Sequence, residues 1–129
     1  MALPKIEKRA PSTTLAEAMR AATFCVDLKA KNIVLLNLIN VANATDYFLI
    51  ASGTSDTHVR AIAEHVIDEM KKTGVRVHHV EGLQQGRWVL LDFVDFVVHV
   101  FHPVLREFYQ LERLWSDAER VPLPEGASV

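Results

Sequence analysis

Two stretches of the chain repeat apolar residues at the three- and four-residue spacing of one helix face. The first stretch begins near Thr14, which fits a capping box with Glu17 three residues later. The second has Thr54 or Ser55 as a capping residue before it and Gly74 as a terminating residue after it. The apolar positions are Leu15, Ala18, Met19, Ala22 and Val26 in the first stretch, and Val59, Ile62, Ala63, Val66 and Met70 in the second. The pattern predicts two amphipathic helices.

Shorter apolar runs, each bounded by turn-forming residues, predict β-strands. They cover residues 32–39, 46–52, 75–80, 87–93 and 95–101. The last two runs are separated only by Val94, so we expect an antiparallel hairpin. Pro103 is placed to begin a third helix at its first turn. The apolar stripe of that helix would be Val104, Phe108, Leu111 and Trp115.

The predicted order is therefore α-β-β-α-β-β-β-α, an α/β fold with a mixed sheet of the α+β kind, five strands and three helices. We expect a flexible segment over residues 1–11, one domain over 12–118 and a flexible tail over 119–129. The length of 129 residues suits a single core. No internal repeat interrupts this organisation.

The strands are apolar on both faces, which has a consequence for function. Trp88, Leu90 and Asp92 alternate along strand four with Val89 and Leu91. Strands of this kind usually need cover on both sides. If the three helices lie mainly on one side, part of the other face stays exposed, and an exposed apolar patch rimmed by charge is typical of a protein-binding surface.

Composition and charge narrow the classes of function. Half of the residues are apolar, 23% are charged and the net charge is −2, with no Lys/Arg-rich run. A protein that mainly binds a phosphate backbone is not indicated, whereas the slightly acidic charge favours a basic protein surface as partner. The single cysteine, Cys25, falls in the first helical pattern and is predicted to fill the core. No apolar run reaches the roughly 18 residues of a membrane span, and we expect a cytoplasmic protein.

Several residue groups could support chemistry, but each has an ordinary structural explanation. The six histidines form no recognised ligand set, so no metal site is predicted. A Gly-Thr-Ser loop at Gly53 could bind an anion at a helix N-terminus or could simply cap the helix. Asp92 and Asp95 could be a catalytic or magnesium-binding pair, although their spacing directs them apart. Trp88 suits either the core or the centre of a protein interface.

Four blocks of the sequence, in order and spacing, resemble the ribosomal silencing factor family RsfS, also called Iojap or YbeB. They are "TDYFLIASGTSDTHVRAIAEHV", "EG", "GRWVLLDFVDFVVHVF" and "REFYQLERLW", and the likeness runs from about residue 12 to residue 118. The resemblance implies a nucleotidyltransferase-like fold without transferase activity, and the Asp-x-Asp pair of such enzymes is missing here. It also implies a protein that needs no cofactor and no metal.

The resemblance further implies a mode of action. Members of the family bind the large ribosomal subunit through its universal protein number fourteen, block joining of the small subunit, and repress translation when nutrients are short. Organelle relatives act in large-subunit assembly. Trp88 matches the family tryptophan at the ribosomal-protein contact, and Leu90 and Asp92 match the sheet positions that follow. Other family motif positions are matched by Glu81, Asp95 and Tyr109.

One position departs from the family pattern. The family usually has glycine before the second aspartate of the hairpin, and this chain has Val94. A β-branched residue resists positive φ, so the turn is expected to differ.

Two other classes of function remain open. The chain could be a nucleotide-binding enzyme that uses Gly53, Thr54, Ser55 and the aspartates, or a homodimer that hides its apolar sheet face when free.

Overall fold

The computed structural model describes residues 11–41, 45–109 and 116–123, without the side chains of 11, 12 and 107–109. The predicted succession of helices and strands is confirmed, with one further strand after the third helix. The elements are α1 (Pro11–Asp27), β1 (Lys31–Asn37), β2 (Tyr47–Ser52), α2 (Asp56–Lys72), β3 (His79–Glu81), β4 (Trp88–Asp92), β5 (Phe96–Phe101), α3 (Pro103–Tyr109) and β6 (Glu119–Arg120).

The strands form one mixed six-stranded sheet in the order β3-β4-β5-β2-β1-β6. Strands β2 and β5 are parallel neighbours, and the other pairs are antiparallel. The predicted hairpin of β4 and β5 is confirmed, with Trp88 opposite Phe101 and Asp92 opposite Val97. This arrangement places β5 in the middle of the sheet, beside the strand that carries the predicted docking residues.

Two predictions at the sheet edges were wrong. Strand β3 is much shorter than the predicted 75–80, because it can pair only along β4 and its pairing begins at His79. The predicted flexible tail contains β6, which pairs with β1 at the opposite edge. Next to it the Val121 N–H donates to the Leu35 carbonyl at 2.8 Å. A two-residue strand has too little sequence for a period to show, so only its partner strand reveals it.

Helix α1 begins earlier than predicted, and its predicted apolar stripe is partly confirmed. Ala18 and Ala22 are buried, while Leu15, Met19 and Val26 are partly buried against the core. The helix starts at Pro11, a residue that favours the first turn of a helix. Thr14 and Glu17 therefore lie inside the helix, with exposures of 0% and 4%, and the predicted capping box was wrong. They belong to the buried stripe, which also contains Ala18, Ala21, Ala22 and Cys25. Small side chains on this stripe let α1 lie close to the sheet.

Helix α2 follows its sequence signals closely. The Ser55 hydroxyl accepts a hydrogen bond from the His58 N–H at 3.1 Å, as an N-cap should. At the other end Gly74 has φ +92°, and Val75 N–H bonds to the Met70 carbonyl at 2.9 Å, which is the Schellman pattern. The predicted stripe of Val59, Ile62, Ala63, Val66 and Met70 is buried, as predicted.

The two faces of the sheet are covered unequally. Helices α1 and α2 pack on the face that carries Leu49, Leu91 and Val98, which we call the covered face. The opposite face has a buried part, made by residues such as Ile50 and Phe101, and a partly exposed part on β2, β4 and β5. We call this second part the partly exposed face, and its members include Phe48, Trp88, Leu90, Asp92, Val97 and the buried His99.

Helix α3 begins at Pro103, as predicted, but its apolar stripe was partly wrong. Val104 is 60% exposed, while Leu105 packs on the sheet. The Arg106 guanidinium donates to Ser52 Oγ and to the Asn32 carbonyl, both at 2.8 Å. The Phe108 side chain, Leu111 and Trp115 lie outside the described residues. None of the helices in the described ranges is long and apolar enough to cross a membrane.

Candidate docking face

Three of the predicted contact residues lie side by side on the partly exposed face. Trp88, Leu90 and Asp92 alternate along β4, and all three are partly exposed. Glu81 of β3 pairs in register with Leu90, so it continues the same face to the edge of the sheet. The structure therefore brings four of the six predicted residues together on one surface.

Trp88 is held in a defined position without being sealed under α1 and α2. Its ring stacks on Phe101, with 5.0 Å between centroids and 28° between planes. Its indole Nε1–H donates to His99 Nδ1 at 3.1 Å. A tryptophan that is fixed by packing and hydrogen bonding yet remains partly exposed loses little conformational freedom when it binds a partner.

A groove of about 450 Å³ opens beside Leu90 and Asp92 on the same face. Most of its wall is apolar, and Asp92, Thr45 and two histidines supply the polar groups. The lining residues are Thr45, Phe48, His78, Leu90, Asp92, Val94, Val97 and His99. A mainly apolar groove with a few polar groups is suited to taking up a side chain or a short segment of another molecule.

The acidic rim of the face consists of Asp92 and Glu81. Asp92 Oδ1 accepts a hydrogen bond from the Val94 N–H at 2.7 Å, which leaves its other carboxylate oxygen for further bonds. Glu81 is exposed, and its Oε2 lies 2.8 Å from His79 Nε2. Asp92 in the groove wall and Glu81 at the sheet edge favour a partner that carries positive charge at its margin.

Asp95 does not join this surface. Asp95 is only 7% exposed, and its backbone carbonyl accepts a hydrogen bond from the Asp46 N–H at 2.9 Å. Its place is the buried base of the hairpin turn. Tyr109 is the last residue of α3, and its side chain lies outside the described part of the chain.

The hairpin turn shows what valine does in place of glycine. Val94 has φ +77° and the Asp95 N–H donates to the Phe93 carbonyl at 3.0 Å, so these three residues form a γ-turn. The expected resistance to positive φ is overridden, because hydrogen bonds on both sides of the turn hold Val94 in place. The Val94 side chain is 55% exposed at the mouth of the groove.

Sequence reasoning missed His99, Phe48 and Val97 as members of the face. The register would have revealed two of them, because His99 lies opposite Leu90 and Val97 lies opposite Asp92 across the hairpin. Burial lowers the pKa of His99 to about 4, so this imidazole is neutral near pH 7. Phe48 packs edge-on against His99 with 4.6 Å between ring centroids.

The Gly-Thr-Ser loop has the geometry of a helix cap. The Thr54 N–H donates to His58 Nδ1 at 2.8 Å, and the His58 backbone N–H donates to the Ser55 hydroxyl. His58 Nε2 lies 2.7 Å from the Leu28 carbonyl and so connects this loop to the end of α1. A Cβ at Gly53 would lie 2.8 Å from a Val59 methyl, which explains the glycine by close packing. Two of the donors that an anion would need are therefore engaged within the loop.

The two remaining candidates are a metal site and a reactive cysteine. Among the described residues no group of three His, Cys, Asp or Glu side chains could hold a metal ion. Cys25 is fully buried, as predicted, and burial raises the pKa of its thiol to about 12. A thiol in that setting is an inert core residue.

Comparison with known proteins identifies the family. The profile described as "Ribosomal silencing factor during starvation" matches residues 11–128. The chain belongs to the RsfS family. The ribosomal silencing factor RsfS of Bacillus subtilis is 43% identical over 106 residues, which are 82% of this chain and 90% of that protein. A crystal structure from Chromobacterium violaceum aligns with a TM-score of 0.75 and 31% identity, covering 93% of this chain and 97% of that chain.

A more distant relative comes from mitochondria. The mouse protein "Mitochondrial assembly of ribosomal large subunit protein 1" is 33% identical over 90 residues, which are 67% of this chain and 40% of that protein. The RsfS family and its mixed α/β fold are thus confirmed. The nucleotidyltransferase-like label remains a prediction.

Proposed function

We propose that this protein is a ribosomal silencing factor that binds the large ribosomal subunit through its universal protein number fourteen and blocks joining of the small subunit. Translation would fall as a result when nutrients are short. Trp88, Leu90 and Asp92 form the centre of the proposed contact, with Glu81 at its rim. The protein would act in the cytoplasm by occlusion, without a cofactor and without catalysing a reaction.

The single observation that carries this proposal is the position of Trp88. The side chain is fixed by Phe101 and His99 and remains partly exposed, on the same face as the apolar groove that Leu90 and His99 line. Interfaces of standard size bury roughly 800 Å² per partner, and tryptophans at their centres often dominate the binding energy. Membership of the RsfS family supports the ribosome as the partner.

Trp88→Ala tests the contact directly. We expect about 30-fold weaker binding to the isolated ribosomal protein, which corresponds to the roughly 2 kcal/mol of an interface hot spot. The free energy of unfolding should fall by only about 1–2 kcal/mol, because the side chain is partly exposed, whereas a sealed tryptophan would cost about 3–5 kcal/mol. Pull-down and thermal melting measure the two effects.

Ile67→Ala is the matched control. Ile67 is a partly buried residue of α2, packed against the core on the covered face. It should lower the melting temperature by a similar amount and leave ribosome binding unchanged. If wild-type protein does not co-sediment with purified large subunits, or co-sediments equally with small subunits, the proposed function is wrong.

A role in assembly of the large subunit is the second candidate, favoured by the name of the mouse relative. It would use the same face, and binding to incomplete rather than mature large subunits would distinguish it. The enzyme alternative predicts magnesium-dependent nucleotide binding in calorimetry, which we do not expect. A free homodimer that hides the Trp88 face predicts that light scattering reports a dimer and that ribosomal protein dissociates it.

A further inference from the structure

His99 forms the floor of the groove in the middle of the partly exposed face. In register it lies between Leu90 of β4 and Ile50 of β2. Its side chain is surrounded by aromatic rings, and the residue is only 3% exposed. A polar side chain in such a position normally has every polar atom hydrogen-bonded.

One ring nitrogen of His99 is satisfied, and this determines the state of the other. An indole N–H can only donate, so Nδ1 of His99 must accept the bond from Trp88. In a neutral imidazole the proton then resides on Nε2, which becomes a donor. The tryptophan thus sets the tautomer of the histidine behind it.

The donor at Nε2 has no hydrogen-bond partner among the residues that the structure describes, and the atom is buried. A buried donor without an acceptor is unfavourable, and native proteins contain few. Leu90 lies beside His99 in the groove wall and is partly exposed. Leu90 and His99 line the same groove, so a group that enters it comes close to His99, and side-chain rotamers commonly change when an interface forms.

The surroundings define which group could satisfy this donor. A second donor, such as a lysine or arginine head, cannot bond to an N–H. A carboxylate or phosphate would be buried among apolar side chains near Asp92, which opposes negative charge. A neutral acceptor remains: a backbone carbonyl, a side-chain amide or a hydroxyl with an aliphatic surround.

We infer that His99 is a specificity-determining residue of the docking face, whose Nε2–H donates to a neutral acceptor that the bound ribosomal protein inserts beside Leu90. Basic residues of the partner would lie outside this contact, against Asp92 and Glu81. The inference rests on the proposed function, because it assigns the partner's chemistry at the same face. It adds a buried polar contact beneath the tryptophan.

Two substitutions separate the two nitrogens of His99. His99→Asn keeps an acceptor near the Nδ1 position for Trp88 and lacks the donor at Nε2. His99→Gln places an amide donor near the Nε2 position. We expect His99→Asn to bind purified large ribosomal subunits about tenfold more weakly, the loss typical of one buried hydrogen bond. His99→Gln should recover part of that loss, because it restores the donor but not the acceptor for Trp88. His65→Asn, on α2, is the matched control and should bind as wild type does.

Nitrogen-15 NMR of the full-length protein labelled at histidine gives a second readout that does not depend on a variant folding. Free protein should show His99 neutral and protonated at Nε2, and addition of the isolated ribosomal protein should shift the Nε2–H resonance downfield. If wild type binds large subunits while His99→Asn binds equally well and the resonance does not move, the role of His99 is refuted and the proposed function stands. If wild type itself does not bind, the proposed function has failed.

Discussion

The two faces of the sheet use neighbouring residues for different purposes. On β4, Val89 and Leu91 point to the covered face and are fully buried, whereas Trp88, Leu90 and Asp92 point to the other face and are partly exposed. The covered face is closed by the small residues of α1 and the apolar stripe of α2. One strand thus contributes to the core on one side and carries the proposed binding surface on the other, because strand geometry alternates its side chains.

The largest expected difference between the two faces is in the loss of unfolding free energy caused by Leu91→Ala and by Leu90→Ala. Leu91 is 0% exposed, and its truncation should lower the free energy of unfolding by about 2–5 kcal/mol. Leu90→Ala should cost about 1 kcal/mol, since its side chain already meets solvent, and should weaken ribosome binding. Urea denaturation and co-sedimentation measure the pair. Equal losses of stability would mean that the faces do not differ as described.

A second effect concerns pH and the buried imidazole. The pKa of His99 is lowered from 6.5 to about 4 by burial. The unfolded chain therefore takes up a proton below about pH 6.5 that the folded protein accepts only near pH 4. The contribution of His99 is fully present above pH 6.5 and is lost as pH falls through this window, by about 3 kcal/mol in total.

His99→Asn should remove that part of the pH dependence. Between pH 7 and pH 4 the free energy of unfolding of the variant should fall by about 3 kcal/mol less than that of wild type. His65→Asn is the control, because His65 lies on the outer side of α2 next to Asp27, and it should keep the wild-type contribution of His99. Parallel curves for wild type and His99→Asn would contradict the burial of a neutral imidazole.

The smallest expected effect is at the turn where the partly exposed face ends. Val94→Gly should raise the free energy of unfolding by about 0.5–1 kcal/mol, because glycine adopts φ +77° without strain but also loses more freedom on folding. Val94→Ala should gain less, since alanine retains a Cβ. Chemical denaturation of the three proteins provides the ranking. A loss of stability in Val94→Gly would show that the valine side chain contributes more in the groove than the turn loses in strain.

The sequence predicted the elements with strong local signals. Ser55 and Gly74 mark the ends of α2, Pro103 marks the start of α3, and the stripe of α2 has the helical period. The capping box at Thr14 failed because the helix starts one turn earlier, at Pro11, and so places Thr14 and Glu17 within its buried side. Strand β6 and the short β3 were missed or misjudged because their extent depends on partner strands.

Among the predicted docking residues, some could be grouped from the sequence and others depended on tertiary contacts. Trp88, Leu90 and Asp92 could be grouped from the period of two along β4, and the resemblance added Glu81, Asp95 and Tyr109. The burial of Asp95 was not visible in the sequence, because it follows from the turn geometry and the contact with the segment at Asp46. His99 was passed over as one of six histidines, because only the register shows that it lies behind the tryptophan.

The sequence by itself determined that this chain is a mixed α/β protein of the RsfS family and that its strands are apolar on both faces, because periodicity, caps and motif blocks are local properties. Only the tertiary structure decided which face the helices cover, and hence which side of β4 stays partly exposed. That choice depends on strand order, register and helix placement, which arise from contacts between residues far apart in the chain.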